Sequence, residues 1–152
     1  MTQPVAFDAA SARHAFPFLV AGQAQKEFFV NEALARIDTL LHPAIEGEIA
    51  APPAGPEAGQ CWLVADAASG EWAGREGQLA AWDAVQWTYC APVPGMQVLD
   101  VSAGQRLVFN GIWRRAQRPA EPAGGTVVDV EARAAIAALL DLFATLGIIP
   151  AE

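Results

Sequence analysis

The sequence predicts an α+β fold, in which an N-terminal helix packs on a small antiparallel β domain and a C-terminal helix follows. Three observations predict this class. A helical apolar pattern covers residues 22–41, short apolar strands alternate with turn residues over 60–116, and a second helical pattern covers 129–149. Stretches rich in proline and glycine separate these patterns, so we expect them to mark structural boundaries.

The predicted organisation has four parts: an N-terminal arm over residues 1–21, a helix plus antiparallel β domain over 22–116, a linker over 117–128 and a C-terminal helix over 129–149. Prolines and scattered apolar side chains leave the arm without a periodic pattern. We therefore expect the arm to be irregular and to pack on the domain or on a neighbouring subunit.

One face of the first helix is apolar. Its members recur at the i, i+4, i+7 and i+11 spacing of a helical stripe, and they are Val30, Leu34, Ile37 and Leu41. The helix is expected to end at His42, because a residue that precedes proline avoids the helical region.

Six short strands are expected in the β domain, each an apolar or aromatic run bounded by turn residues. They cover residues 61–65, 78–82, 86–90, 97–101, 105–109 and 112–115. Between the last two, Asn110 and Gly111 predict a tight hairpin, because both residues tolerate the positive φ of a type I′ turn. The stretch from Gly70 to Gly74 predicts a turn around a buried Trp72.

The C-terminal helix is predicted to have Asp129 as its N-cap and Gly147 as its C-cap. Its apolar residues alternate in steps of four and three, the spacing of a coiled-coil seam. The members of this seam are Val128, Ala132, Ala135, Leu139, Leu142, Leu146 and Ile149. A second apolar stripe lies beside it and consists of Ile136, Leu140 and Phe143.

Two apolar faces exceed what one small β domain is expected to cover, so we expect this helix to self-associate. The residues predicted to contact other copies are Ala135, Leu139, Leu142, Leu146 and Ile149. The alternative is a helix that packs on its own domain, with both stripes covered within one chain.

The overall charge argues against nucleic acid as a partner. The chain has 17 acidic and 9 basic residues, a formal net charge of −8, whereas phosphate binding needs clustered lysine and arginine. Arg114, Arg115 and Arg118 form a basic cluster that is typical of solvated strand ends, with a phosphate site as the alternative. No membrane partner and no export are expected, because the sequence has neither a long uncharged apolar run nor a secretory signal.

The motifs that accompany catalysis or cofactor binding do not occur in the sequence. We expect no enzyme activity, no cofactor and no metal site, because it has no nucleophile elbow, phosphate-binding loop, dinucleotide fingerprint or zinc-protease motif. A small hydrolase that uses acids at strand ends is the catalytic alternative. Cys61 and Cys90 are expected to be buried free thiols, and with His14 and His42 they lack the spacing of paired zinc ligands.

Tryptophans recur through the β region, at Trp62, Trp72, Trp82, Trp87 and Trp113. Most of them are expected in the core, because a small domain buries most of its large aromatic side chains. Three aromatic residues are the candidates for exposure and for stacking on a ligand: Trp82, Trp87 and Tyr89. They favour an alternative function, a carbohydrate-binding module for cell-surface or capsular polysaccharide, which would need two or more coplanar exposed rings.

Several short motifs occur in a recognisable order. The run from Phe18 to Glu27 reads Phe-Leu-Val-Ala-Gly-Gln-Ala-Gln-Lys-Glu. It is followed by Asn31-Glu32-Ala33-Leu34, Ile37-Asp38, Ala51-Pro52-Pro53, Gly59, Trp62-Leu63-Val64-Ala65, Gly70 to Gly74, Gly77 to Trp82, Trp87, Pro94-Gly95 and Phe109 to Trp113. Over residues 16–115 the chain thereby resembles a domain-of-unknown-function family found in phage tail and spike proteins and in the gene transfer agents of alphaproteobacteria.

The resemblance implies a component of a phage-like particle, and it supplies no catalytic residues. A short chain of this kind is similar to a head-spike base or a small tail-fibre subunit, which connects the particle shell to a receptor-binding fibre. The implied partners are a capsid or tail protein, the spike fibre protein and other copies of the chain. Three-fold symmetry suits fibres and five-fold symmetry suits capsid vertices, so a trimer or a pentamer is expected. The implied location is the virion or phage-like particle, assembled in the bacterial cytoplasm.

Overall fold

Over residues 9–19, 26–125 and 128–151, which are those the structure describes, the computed structural model has two helices and eight short strands. Residues 1–92 form one compact unit and residues 93–152 form another. The first unit contains α1 (Lys26–Leu40), β1 (Ala44–Ile45), β2 (Glu48–Ile49), β3 (Cys61–Val64), β4 (Leu79–Trp82) and β5 (Trp87–Cys90). The second contains β6 (Gln97–Asp100), β7 (Gln105–Phe109), β8 (Trp113–Arg115) and α2 (Val130–Thr145).

The α+β class predicted from the sequence is confirmed, with a helix near each end and antiparallel strand pairs between them. The six predicted strands are confirmed to within one residue at each end. The prediction missed β1 and β2, because strands of two residues show no alternation of apolar and polar positions. Residues 1–8 and 20–21 of the predicted arm, 22–25 of the predicted first helix and 126–127 of the predicted linker lie outside the described residues. The four-part domain organisation stays a prediction.

The sheet of the first unit has the strand order β2–β3–β4–β5. β2 runs parallel to β3, and the other neighbours are antiparallel. Because successive side chains of a strand point to opposite faces, β3 places Trp62 and Val64 on one face and Cys61 and Leu63 on the other. All four side chains are buried. Both faces of the sheet are therefore covered at β3, which explains its continuous apolar sequence.

The fully buried residues of α1 are polar. Asp38 and Thr39 are buried, whereas of the predicted apolar face Leu34 is half-buried and Val30, Ile37 and Leu41 are exposed. The apolar pattern of this helix therefore does not identify the side that packs. The physical reason is that the arm supplies hydrogen-bond partners to the polar side, so burial of these polar groups carries little cost.

The strands of the second unit form an antiparallel meander, β6–β7–β8. Val98 pairs with Leu107, and both side chains are buried. The neighbouring pair, Asp100 and Gln105, is also buried although both residues are polar. Asp100 is satisfied by Arg115, whose Nη1 donates to Oδ2 at 2.5 Å, and Gln105 donates to backbone carbonyls. These polar groups therefore help to fix β8 on the meander.

The β7–β8 hairpin is confirmed, but its turn differs from the expected one. Phe109 pairs with Trp113, so the loop consists of three residues, 110–112. Gly111 has a φ of 84°, whereas Asn110 does not have a positive φ. The type I′ prediction is wrong, because that turn needs positive φ at both central positions. The Phe109 and Trp113 rings lie 5.2 Å apart between centroids, so this cross-strand aromatic pair packs at the base of the longer loop.

The predicted turn around a buried tryptophan is confirmed. Gly70–Trp72 forms a single 3-10 turn, and the Trp72 side chain is fully buried. Gly70 has a φ of 63°, a conformation that glycine adopts without the strain of a side chain. The turn therefore directs one large aromatic ring from a surface loop into the core.

Candidate functional site

The helix α2 has well-defined ends. Asp129 is the N-cap, as predicted, and its carboxylate accepts a hydrogen bond from the Ala132 backbone N–H at 2.8 Å. At the other end Gly147 has a φ of 66°, and the Ile148 N–H donates to the Phe143 carbonyl at 2.9 Å. This bond is typical of a Schellman motif, in which the C-cap is Leu146, one residue before the predicted Gly147, and Gly147 supplies the positive φ.

The second unit holds α2 mainly at its C-terminal end. The Arg106 N–H donates to the Gly147 carbonyl at 2.6 Å, and the Gln105 side chain donates to the Ile148 carbonyl at 3.3 Å. Within the helix, Leu140 is buried. Neither helix in the described part of the chain has the length and apolar character needed to cross a membrane.

One side of α2 packs on its own unit, and another apolar side faces solvent. The packed side has residues at helical spacing that are buried or half-buried: Arg133, Ala137, Leu140 and Ala144. Of the exposed apolar side chains, Leu139, Leu142 and Leu146 lie far from this side, whereas Ile136 and Phe143 lie at its edge beside Leu140, at about 100° per residue around the helix. Their exposed fractions are 43% for Ile136, 51% for Leu139, 51% for Leu142, 40% for Phe143 and 47% for Leu146. The second predicted stripe is thus divided, because Leu140 packs inward while its two companions do not.

Four of the five residues predicted to contact other copies lie on the exposed side. Ala135 is exposed, and Leu139, Leu142 and Leu146 are each about half exposed. Ile149 is buried by its own subunit instead. The helical stripe stops at Leu146 because the chain turns at the Schellman motif, so Ile149 no longer continues it. Contact between copies stays a prediction for the other four residues.

The exposed apolar face of α2 has no charged side chain within it. The charged residues of this helix are Glu131, Arg133 and Asp141, and all three lie outside the stripe. The Arg133 guanidinium donates to the backbone carbonyls of Pro122 and Gly124, so it is committed to the preceding segment. Covering this face would therefore require no charge to leave water, which removes the main cost of burying a helix surface.

The two units differ sharply in charge. Residues 1–92 contain eleven acidic and four basic residues, a formal charge of −7. Residues 93–152 contain six acidic and five basic residues, a formal charge of −1. Electrostatic repulsion between two copies is therefore much weaker for the unit that contains α2.

The aromatic core of the first unit consists of Trp62, Trp72 and Trp87. The ring centroids of Trp72 and Trp87 lie 5.0 Å apart at 82°, and those of Trp62 and Trp87 lie 5.8 Å apart at 72°. Both are edge-to-face contacts, which favour the aromatic quadrupoles. Ala80 pairs with Trp62 on one side and Tyr89 on the other, and its small side chain leaves room for the rings.

The predicted sugar-stacking residues adjoin one another on β4 and β5, but they do not form a flat platform. Trp82, Trp87 and Tyr89 are all half-buried. Trp82 and Trp87 pair across the strands, with ring centroids 5.0 Å apart and planes 52° apart. The Arg75 guanidinium lies 4.6 Å from the Tyr89 ring centroid, and the Tyr89 hydroxyl donates to the Glu71 carbonyl at 3.1 Å. These three side chains therefore lack the coplanar, open faces that stacking on a sugar needs.

Asp38 anchors the described part of the arm to α1. Its two carboxylate oxygens accept the backbone N–H groups of Arg13 and His14, at 2.8 and 2.6 Å. The Arg13 guanidinium in turn donates to the carbonyls of Thr39 and His42, each at 3.1 Å. These carbonyls lie at the end of the helix, where they have no partner within it. One carboxylate and one guanidinium thus join the arm to the C-terminal turn of α1.

The protonation of Asp38 favours this anchor. Burial alone would raise the pKa of the Asp38 carboxyl, but hydrogen bonds from Arg13, Ser11 and His14 outweigh burial and hold the pKa below its ordinary value. The carboxyl is therefore ionised at neutral pH, which is the form that accepts hydrogen bonds on both oxygens.

Asn31 makes a second anchor for the arm. Its Oδ1 accepts the Leu19 N–H at 2.9 Å, and its Nδ2 donates to the Leu19 carbonyl at 3.1 Å. The sequence analysis did not identify Asn31 or Asp38 as anchors. The signal that would have found them is their seven-residue separation, which places two polar side chains on one side of the helix.

The described residues offer no evident centre for metal or thiol chemistry. Cys61 and Cys90 are both buried and free. Burial raises the pKa of Cys61 to about 12, so the reactive thiolate is scarcely populated at neutral pH. Within the part of the chain that the structure describes, no group of three or more His, Cys, Asp or Glu side chains is placed to hold a metal ion.

The comparison with protein families matches the folded strands and most of α1. A family model described as protein of unknown function (DUF2793) matches residues 30–114, which is more than half of the 152 residues. The match extends from the second turn of α1 into β8, and α2 lies beyond it. No curated protein matches the chain.

Proposed function

The chain belongs to the DUF2793 family of proteins of unknown function, and we propose that it is a non-catalytic structural protein that works as a homo-oligomer joined through α2. In the finer form of this proposal it is a component of a phage-like particle, either a spike base or a small tail-fibre subunit. It then connects the particle shell to a receptor-binding fibre.

The exposed apolar face of α2 is the observation that carries the proposal. Complete burial of a leucine side chain is worth about 1.5–3 kcal/mol, so three leucines left half exposed forgo several kcal/mol in a monomer. The three are Leu139, Leu142 and Leu146. A second copy presents the same stripe at the same spacing, so identical helices are complementary to each other.

The proposed partners and location follow from this role. Besides other copies of the chain, they are a capsid or tail protein and a spike fibre protein, in a virion or phage-like particle assembled in the bacterial cytoplasm. The formal charge of −8 supports a partner other than nucleic acid.

The carbohydrate-binding alternative has less support. Trp82 and Trp87 are tilted by 52° and half-buried, and Trp87 also packs on the core tryptophans. Arg75 covers one face of Tyr89. A glycan array probed with the unmodified chain tests this alternative, and specific binding that is lost in Trp82→Ala would favour it.

Self-association through α2 is tested with the double variant Leu139→Asp/Leu142→Asp. We expect its mass in light scattering to fall to the 16.0 kDa of one chain at tens of micromolar protein. The far-UV circular dichroism should keep the native strand and helix signals. The control is Val130→Asp, on the same helix but off the stripe and 65% exposed, which should leave the mass unchanged.

Two results would contradict this part of the proposal. If the double variant unfolds as a whole, the two leucines belong to the core of their own subunit. If it stays folded and keeps the mass of the unmodified protein, copies meet elsewhere. The particle assignment is tested separately, by probing purified particles from the producing cells with an antibody against this chain, and absence of the chain from them would overturn it.

A further inference from the structure

We infer that α2 assembles as a bundle of three or more copies and not as a two-helix coiled coil, and that Ile136 and Phe143 set this order. The inference rests on the proposed function, since it requires copies of α2 to associate. It adds how many helices meet and which side chains decide their number.

The alternation of four and three residues along α2 assigns its heptad positions. Steps of three lead from a to d, and steps of four lead from d to the next a. Ala132, Leu139 and Leu146 are thereby at a, and Ala135 and Leu142 are at d. All five are exposed in a single chain.

Ile136 and Phe143 directly follow the two d positions, so they occupy e. In two-stranded coiled coils the a and d side chains form the seam, and e positions usually carry Glu or Lys in contact with water. Here both e positions are large and apolar, and both are exposed in the single chain. A dimer that buried only a and d would leave them in water on each copy. An apolar face that includes a, d and e is instead the wider stripe of a helix within a bundle.

The opposite edge of the seam is complementary in size. Glu131, Ala138 and Thr145 occupy g, and beyond the charged Glu131 of the first turn the other two are short and exposed. In a parallel bundle of more than two helices, the e side of one helix packs on the g side of the next. Phe143 of one copy would then lie against Ala138 of its neighbour, a large side chain against a small one. In a two-stranded coiled coil such e and g side chains only flank the seam, whereas in a ring of three or more helices this contact lies within the interface between neighbours.

The packed side of α2 leaves room for this arrangement. Arg133 and Leu140 fall at b, and Ala137 and Ala144 fall at f, so the helix contacts its own unit on the side away from the seam. The g, a, d and e positions stay open together. From Ala132 to Leu146 these positions carry no charged side chain. The same uncharged surface on other copies of α2 is therefore the partner that matches it best.

Native mass spectrometry of the full chain tests the inference, with three proteins compared at one concentration. The unmodified protein should have at least three times the mass of one 16.0 kDa chain. Ile136→Gln/Phe143→Gln should narrow the apolar face to a and d, and its mass should fall to that of a dimer. Val130→Gln, at an exposed f position, should keep the mass of the unmodified protein.

A second variant tests the inference independently, in case Ile136→Gln/Phe143→Gln does not fold. Ala138→Leu fills the small g position and should also lower the number of copies, whereas Ala134→Leu, at exposed position c, should not. Circular dichroism checks that each variant keeps its helices.

The outcomes separate this inference from the proposed function. A monomeric unmodified protein overturns both. A dimeric unmodified protein overturns the bundle and leaves self-association through α2 in place. The third outcome is an unmodified protein of three or more copies whose mass is kept in both Ile136→Gln/Phe143→Gln and Ala138→Leu, although both variants are folded. That result would show that Ile136 and Phe143 do not set the number of copies.

Discussion

α1 and α2 both expose apolar side chains, but their own units hold them by chemically different sides. α1 is held through the polar residues Asp38 and Asn31, which bind the backbone of the arm. α2 is held through the apolar Leu140 and through hydrogen bonds at its C-terminal turn. The arm thus covers polar side chains of α1. In contrast, α2 packs one apolar side on its own unit and exposes a second apolar side to solvent.

The exposed faces of the two helices also differ. On α1 the exposed surface includes the ion pair between Arg36 and Glu32 at 2.9 Å, so water already solvates much of it. On α2 the exposed stripe is regular and uncharged. The comparison teaches that exposed apolar residues alone do not mark an interface. Regular spacing and the absence of charge distinguish the face that is suited to a second copy.

The largest expected loss of stability comes from the tryptophan core of the first unit. Trp72→Ala should lower the free energy of unfolding of the first unit by about 3–5 kcal/mol, because it empties the centre of a fully buried aromatic cluster. Urea unfolding followed by circular dichroism measures this loss. Val85→Ala, at a side chain 83% exposed, should cost less than about 0.5 kcal/mol. A similar cost for both variants would contradict the assigned core.

Loss of the carboxylate that holds the arm should have the next largest effect. Asp38→Asn should cost about 2 kcal/mol, because the amide cannot accept hydrogen bonds from two backbone N–H groups as a carboxylate does. The arm should loosen, and trypsin should cleave after Arg13 faster than in the unmodified protein. The control is Asp66→Asn, at an exposed position. Unchanged cleavage at Arg13 in Asp38→Asn would show that the arm is held by other contacts.

The end of α2 should respond more weakly. Gly147→Ala should cost about 1–2 kcal/mol, because φ is 66° and a Cβ would lie 3.2 Å from the Gly104 carbonyl oxygen. Gly111→Ala has a φ of 84° but no atom within 4 Å of the added Cβ, so it isolates the cost of the backbone conformation. The difference between their thermal unfolding midpoints measures the packing at Gly147. Equal unfolding midpoints for the two variants would mean that a Cβ at position 147 meets no steric conflict with the meander.

Acidification should lower the free energy of unfolding of both units. Near neutral pH this free energy should change least with pH. Burial raises the pKa of Asp100, but hydrogen bonds from Ser102, Arg115 and Ala103 outweigh it and lower the pKa, as they do at Asp38. A carboxyl whose pKa is lower in the folded state contributes stability above its unfolded value of 3.8. That stability is lost as the pH falls below 3.8 through the folded pKa.

The check is urea unfolding between about pH 5 and about pH 2, compared for the unmodified protein and the variants Asp38→Asn and Asp100→Asn. Each variant should lose less stability on acidification than the unmodified protein does. A steeper loss in the variants would reverse the assigned direction of the pKa shifts.

Much of the fold could be predicted from the sequence, because local patterns determine it. The strands β3 to β8 combine apolar runs with turn residues. Asp129 has the side chain of an N-cap, and Gly147 has the backbone freedom that a helix end needs. The exposed seam on α2 was predictable for the same reason. Its regular spacing is a property of the sequence alone.

What could not be predicted depends on contacts between distant residues. Asp38 of α1 can be buried because Arg13 and His14 donate to it from 25 and 24 residues away. Ile149 continues the spacing of the seam, but the turn at Gly147 redirects it into its own unit. Periodicity identifies which residues share a helix face, and it does not reveal which neighbour covers that face.

The mass of the unmodified chain in solution tests self-association through α2 most directly. Light scattering over a dilution series, starting at tens of micromolar protein, should give a whole-number multiple of 16.0 kDa that persists until the lowest concentrations. A mass of 16.0 kDa throughout the series would mean that the open face of α2 stays in water, which contradicts the proposed role.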